Sequence, residues 1–146
     1  MKKSEKRDIE RFFHDHKDFS ECIIEELVLK DYGTTLEVVF NYVWTDSGEL
    51  LPNLNEPNDV VLRFHLVQQL QICNALTASM LRNPESINWG LNEVALLKVI
   101  NDHASQADET SSPPLTHVAF LWEGDRRIDV VFVELEVIYP ETGTPE

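Results

Sequence analysis

Two apolar segments that alternate about a short polar break, between Thr116 and Tyr139, constrain this chain more than any other stretch. Val118, Phe120 and Trp122 occupy every second position before Glu123, Gly124, Asp125 and Arg126, and Val131, Val133, Leu135, Val137 and Tyr139 do so after it. A period of two belongs to a half-buried strand, and Gly124 supplies the positive φ that a tight turn requires. The stretch is therefore expected to form a β-hairpin, with the upstream chain adding strands to it and a helix to cover them.

The upstream chain supplies both. Ile9, Phe12, Phe13 and His16 recur at i, i+3, i+4 and i+7, which predicts a helix running to about Lys17 with Ser4 as its cap. A strand over Cys22 to Lys30, its alternation blurred by Glu25 and Glu26, precedes the turn residues Asp31, Tyr32 and Gly33. Leu36, Val38, Phe40, Tyr42 and Trp44 then share one face of a second strand, which pairs with the first as a hairpin. After a long loop from Thr45 to Asp59, one strand with a bulge near Gln68 is expected to hold Val60, Leu62, Phe64, Leu66, Leu70 and Ile72 on a common face. A short helix over Ala75 to Leu81, stopped by Asn83 and Pro84, and a strand over Glu93 to Ile100 follow. Asn101 to Pro114 is polar, and Pro140 ends the last strand because proline has no amide donor. The expected fold class is α+β: residues 1–146 as a single domain, built on one antiparallel sheet of about six strands, with the N-terminal helix and the short central helix packed on it.

A domain of 146 residues buries roughly 70% of its unfolded surface, so no staple is required. Cys22 and Cys73 lie far apart inside apolar segments and are expected to be two buried thiols of a reducing cytoplasm. The charged start, Lys2, Lys3, Glu5, Lys6 and Arg7, is unlike a signal peptide, and no apolar run approaches the ~20 residues of a membrane span. The net charge of −14 is unevenly spread. Residues 1–30 hold seven basic and eight acidic residues, whereas residues 31–146 hold five and 18, so −13 of it lies in the body. Such a body repels phosphate backbones, which argues against nucleic acid as a partner and for a basic protein, unless the charge serves solubility alone.

The search for chemistry yields mainly exclusions. The five glycines are scattered and none opens a phosphate-binding loop. No spaced Cys/His zinc set and no nucleophile elbow is present, and neither cofactor nor metal is expected. His14 and His16 stand at i and i+2 of a helix and point apart, so one ion cannot take both; His16 completes the apolar stripe instead. Nothing beside Cys22 lowers its thiol pKa, and Glu21 raises it. Glu134 and Glu136 share one side of a strand, as the solvent face of a half-exposed strand would.

The run Phe13, His14, Asp15, His16 leading into Cys22 to Leu29, and then the strand Leu36 to Trp44, resembles the start of small bacterial domains grouped with the immunity proteins of polymorphic toxin systems. Those open with an aromatic-His-Asp segment before a β-hairpin, and the likeness continues in Val60 to Leu70 and Gly124 to Leu135. The resemblance implies a non-enzymatic cytoplasmic protein that blocks one cognate toxin by binding it, with carboxylates in place of the phosphates a basic toxin would hold. The partner-binding residues it suggests are Asp46, Glu49, Leu50, Leu51, Glu56 and Asp59 in the first long loop and Asp102, Asp108 and Glu109 in the second. Two other classes stand beside it. One is a small hydrolase or isomerase using His65, His117 or the Glu134 and Glu136 pair in the concavity of the sheet. The other is an accessory module that forms a homodimer through an exposed strand edge.

Overall fold

The computed structural model describes residues 1–50, 59–83, 94–101, 114–122 and 124–139. Among these residues nine strands and two α-helices succeed one another as β1 (Lys2–Lys3), α1 (Lys6–Asp15), β2 (Ile23–Lys30), β3 (Thr35–Asn41), β4 (Val60–His65), β5 (Gln69–Cys73), α2 (Ala78–Arg82), β6 (Leu96–Ile100), β7 (Thr116–Leu121), β8 (Arg127–Phe132) and β9 (Glu134–Ile138). The strands form two antiparallel sheets, one of five strands in the order β1-β9-β4-β3-β2 and one of four in the order β5-β8-β7-β6. The class is α+β, as expected, but a single sheet of about six strands is not what forms.

The chain changes sheet twice, at corners that the hydrophobic pattern conceals. Val60 to Ile72 is two strands, not one bulged strand: β4 ends at His65, and Leu66, with φ 54° and an exposed side chain, turns the chain into β5. The core positions on both sides of this corner are even-numbered, Val60, Leu62 and Phe64 on β4 and Leu70 on β5, so the alternation survives the change of sheet. The second corner is the single residue Val133. Before it Ile128, Val130 and Phe132 face the core; after it Leu135 and Val137 do. The period slips by one there, and the expected second hairpin arm is β8 of one sheet followed by β9 of the other. The corners are tied together, with Gln68 N–H donating to Val131 C=O at 2.8 Å and Val133 N–H to His65 C=O at 3.2 Å.

Other expectations hold closely. β2 and β3 pair as a hairpin with a bulge between Ile24 and Glu26, which is what blurred the alternation there. Asp31–Gly33 makes the turn between them, and Gly124, at φ +82°, lies in the turn between β7 and β8. In contrast, Ser4 does not cap α1; Glu5 holds the cap position through its backbone carbonyl, with no side-chain bond. The face of β3 ends at Phe40, because Tyr42 takes φ 60° and turns outward while Val43 is buried in its place. The short helix α2 is capped by Thr77 Oγ1, which accepts from Met80 N–H at 3.2 Å, but none of its residues is buried, so it does not pack on a sheet.

All seven phenylalanines are buried and hold the layers together. Phe40 of one sheet meets Phe120 of the other with ring centroids 5.9 Å apart, and Phe64 meets Phe120 at 5.9 Å and Phe132 at 4.8 Å. Phe12 and Phe13 of α1 reach the same cluster through Phe19, which lies 5.0 Å from Phe40. Full burial of one such ring contributes roughly 2–3 kcal/mol, so the apolar stripe of α1 is enough to fix the helix against the sheets.

Candidate partner-binding surface

At the end of the five-stranded sheet where β3 and β9 finish and β4 begins, α1 finishes as well, and His16 joins these segments. Its Nδ1 lies 2.7 Å from the carbonyl oxygen of Trp44, just beyond β3, and its Nε2 lies 3.0 Å from the hydroxyl of Tyr139, just beyond β9. A carbonyl only accepts, so Nδ1 carries the proton and donates to Trp44 C=O. Burial, with a smaller push from Asp15, raises the Tyr139 hydroxyl above its ordinary value and keeps it a donor.

Trp44 thus anchors a short projecting turn. Thr45 N–H donates to Glu49 C=O at 2.6 Å, Gly48 N–H donates to Thr45 C=O at 3.0 Å, and Leu50 bridges back to Trp44. Asp46 and Glu49 stand exposed on the turn, and Leu50 is 41% exposed. Asp59, half-buried, precedes β4 at the same end of the sheet. Of the expected partner-binding residues, the structure therefore brings Asp46, Glu49, Leu50 and Asp59 to one end of the molecule. Leu51, Glu56, Asp102, Asp108 and Glu109 lie outside the described residues. Asp15 and the half-exposed Tyr42 add to the same surface. The supporting role of His16 between Trp44 and Tyr139 was not foreseen; the only sign in the sequence was a polar residue closing an apolar stripe.

Histidines also meet carboxylates. On the outer face of the five-stranded sheet Glu37, Arg63 and Glu136 stand in register across β3, β4 and β9. Arg63 Nε donates to Glu37 Oε2 at 2.6 Å, its Nη1 to Glu136 Oε1 at 3.1 Å, and His65 Nε2 lies 2.7 Å from the same Glu136 oxygen. Burial pulls the Glu37 carboxyl upward, but hydrogen bonds and charge from Lys30 and Arg63 outweigh it and hold it below its ordinary value. Glu136 is held down by His65 and then by Arg63. On the four-stranded sheet His117 Nε2 lies 2.7 Å from Asp129 Oδ1, and the two bonds that Arg127 donates lower the Asp129 carboxyl first, with His117 adding to them.

These pairs have the distance expected of an acid–base couple. They lie on outward faces of the sheets, whose inner faces are filled by phenylalanine, and each carboxylate is already engaged by an arginine. Neither His65 nor His117 lines the cleft between β2 and β5 or the groove between α1 and β6. Among the described residues no three His, Cys, Asp or Glu side chains are grouped to hold a metal ion, and no helix is long and apolar enough to cross a membrane.

The two cysteines differ. Cys22 is buried, and its thiol is pushed up to about 12, chiefly by burial and further by Glu21. Cys73 is exposed at the end of β5, contrary to the expectation of two buried thiols, because β5 is an edge strand with four of its five residues exposed.

No protein-family profile and no curated protein matches the sequence. A solved structure of an uncharacterized protein from Neisseria gonorrhoeae is similar over 94% of this chain and 96% of its own, with 12% sequence identity and a TM-score of 0.48.

Proposed function

We propose that this protein is a non-enzymatic, protein-binding inhibitor of immunity type, acting in the cytoplasm of a bacterium on a basic toxin. One observation carries the reading. A turn bearing Asp46, Glu49 and the exposed Leu50 is anchored through Trp44 and His16 at one end of a protein with net charge −14. Acidic groups around apolar and aromatic surface are what a basic partner requires: the charges speed encounter and the apolar centre slows release. Anchoring matters because a rigid turn loses little conformational freedom on binding. The histidine–carboxylate pairs favour structural ion networks over an acid–base site, since their carboxylates are shared with Arg63 and Arg127.

Capture of partners from the lysate of the native host, at low and high salt, tests the reading. The wild-type chain and an Asp46→Lys/Glu49→Lys variant serve as baits, with mass spectrometry of what is retained. One basic protein in stoichiometric amount, lost at high salt and lost with the variant, is the expected result. Retention that is the same for both baits, or no retained protein, refutes it.

A further inference from the structure

We propose that the open edge of β5, with the cleft beside it, is a strand-addition site for an extended, uncharged apolar segment of a partner protein. This surface is separate from the acidic end and does not depend on it.

Among the described residues the two sheets have four edge strands, and three are guarded in ways that prevent strand pairing. β1 is two residues long, both lysine. β2 is bulged between Ile24 and Glu26 and carries Glu25, Glu26 and Lys30. β6 carries Lys98 and lies against α1, whose Phe13 and Glu10 share a groove with it. β5 has none of these devices. Its sequence, Gln69, Leu70, Gln71, Ile72 and Cys73, holds no charge and no proline, its pairing with β8 runs without a bulge, and among the described residues only β8 pairs with it. Four of its five residues are exposed, Ile72 at 52%. An edge of this kind presents backbone N–H and C=O groups in the spacing that an added strand satisfies.

Beside this edge lies a cleft of about 200 Å³ between the inner faces of the two sheets, walled by Ile24 and Leu27 of β2, Ile72 of β5 and Ile128 of β8. Trp122 closes it, with the Arg126 guanidinium 4.6 Å from the ring centre. Leu29, on the same side of β2 as Leu27, is 51% exposed and continues the apolar row. Among the described residues the buried indole N–H of Trp122 has no hydrogen-bond acceptor, a cost that a bound carbonyl would remove.

These features fix the chemistry of the occupant. The edge demands an extended backbone, the alternation of strands sends residues i and i+2 of that backbone into the cleft, and the isoleucine and leucine walls make those residues aliphatic or aromatic. A second copy of this chain is the poorer candidate, because each copy carries a charge of −14 and self-pairing brings two such bodies together.

The test uses a phage-displayed library of random 12-residue peptides panned against the intact protein, followed by fluorescence anisotropy with the enriched sequences as synthetic peptides. Enriched peptides are expected to carry apolar residues at i and i+2 and to lose about tenfold or more in affinity on Ile72→Lys. They are expected to keep it on Asp46→Lys/Glu49→Lys, to be excluded by a bulky maleimide on Cys73, and to protect that thiol from iodoacetamide. No enrichment, or peptides whose binding ignores both Ile72→Lys and the Cys73 adduct, overturns the proposal. So does a dimer in sedimentation at micromolar concentration that Ile72→Lys abolishes, which would assign the edge to a second copy.

Discussion

Replacing Arg63 by methionine separates the charge network on the five-stranded sheet from the packing beneath it. Methionine keeps an apolar stem over the strands but removes the bonds to Glu37 at 2.6 Å and to Glu136 at 3.1 Å. The Glu37 side chain is only 11% exposed and would be left with Lys30 at 3.1 Å; Glu136 would be left with His65. A hydrogen bond to a charged group contributes about 1.5–3 kcal/mol when sheltered and an exposed ion pair about 0–1 kcal/mol. With Arg63 itself 30% exposed, about 1 kcal/mol for each bond is the appropriate value, for a loss of about 2 kcal/mol at pH 7. The sign with pH follows from the lowered carboxyls. Glu37 and Glu136 have folded values below their ordinary ones, so their contribution is complete above the ordinary glutamate range and is lost as pH falls through the lowered values. Urea unfolding followed by tryptophan fluorescence should therefore show a difference of about 2 kcal/mol between wild type and Arg63→Met at neutral pH. The difference should shrink steadily as the pH is lowered from about 5 towards 3. A difference that is the same at both ends of that range, or below about 0.5 kcal/mol at pH 7, would show that the network does not hold β3, β4 and β9 together.

Three further outcomes follow from the same structure. Phe120→Ala, which removes the ring contacts of Phe120 with Phe40 and with Phe64, should lower stability by about 3–5 kcal/mol in chemical denaturation; a loss below about 1 kcal/mol would mean that the sheets are not joined there. His16→Ala should cost about 1–3 kcal/mol and speed amide exchange at Thr45 and Gly48, whereas a change in stability with no local loosening would contradict the anchoring role given to His16. Titration with a thiol reagent at pH 8 should find one fast thiol in the native protein, Cys73, and a second only in denaturant, because Cys22 is buried and its pKa stands at about 12; two equally fast thiols would refute the placement of Cys22.

Much of the local structure is legible in the sequence. Ile9, Phe12, Phe13 and His16 announce α1, and the order of polar and apolar residues announces the β2–β3 hairpin, including the irregularity at Glu25 and Glu26. What the pattern hides is where the chain turns a corner. In two sheets packed face to face both inner faces are apolar, so Val60 to Ile72 keeps its even-numbered apolar phase on both sides of Gln68 although Leu66 sends its halves into different sheets. At Val133 the period does slip, but Val130, Val131, Phe132 and Val133 are all apolar, and such a run fits either phase. The candidate surface was legible as composition: acids and leucines in a long loop. Its anchoring was not, since the hydrogen bonds of His16 to Trp44 and Tyr139 join residues 28 and 123 positions apart. The cleft was hidden for the same reason, for Ile24 and Ile72 become neighbours only once β2 and β5 are both edges.

The role assigned to the acidic end is tested most directly by the rate at which the partner captured from the host lysate associates with the wild-type chain as salt is varied. Electrostatic steering by Asp46, Glu49 and the acidic body predicts an association rate that falls roughly tenfold or more between about 50 and 500 mM salt, with the dissociation rate little changed. A complex that does not form, or one that forms at a rate indifferent to salt and to Asp46→Lys/Glu49→Lys, would contradict it.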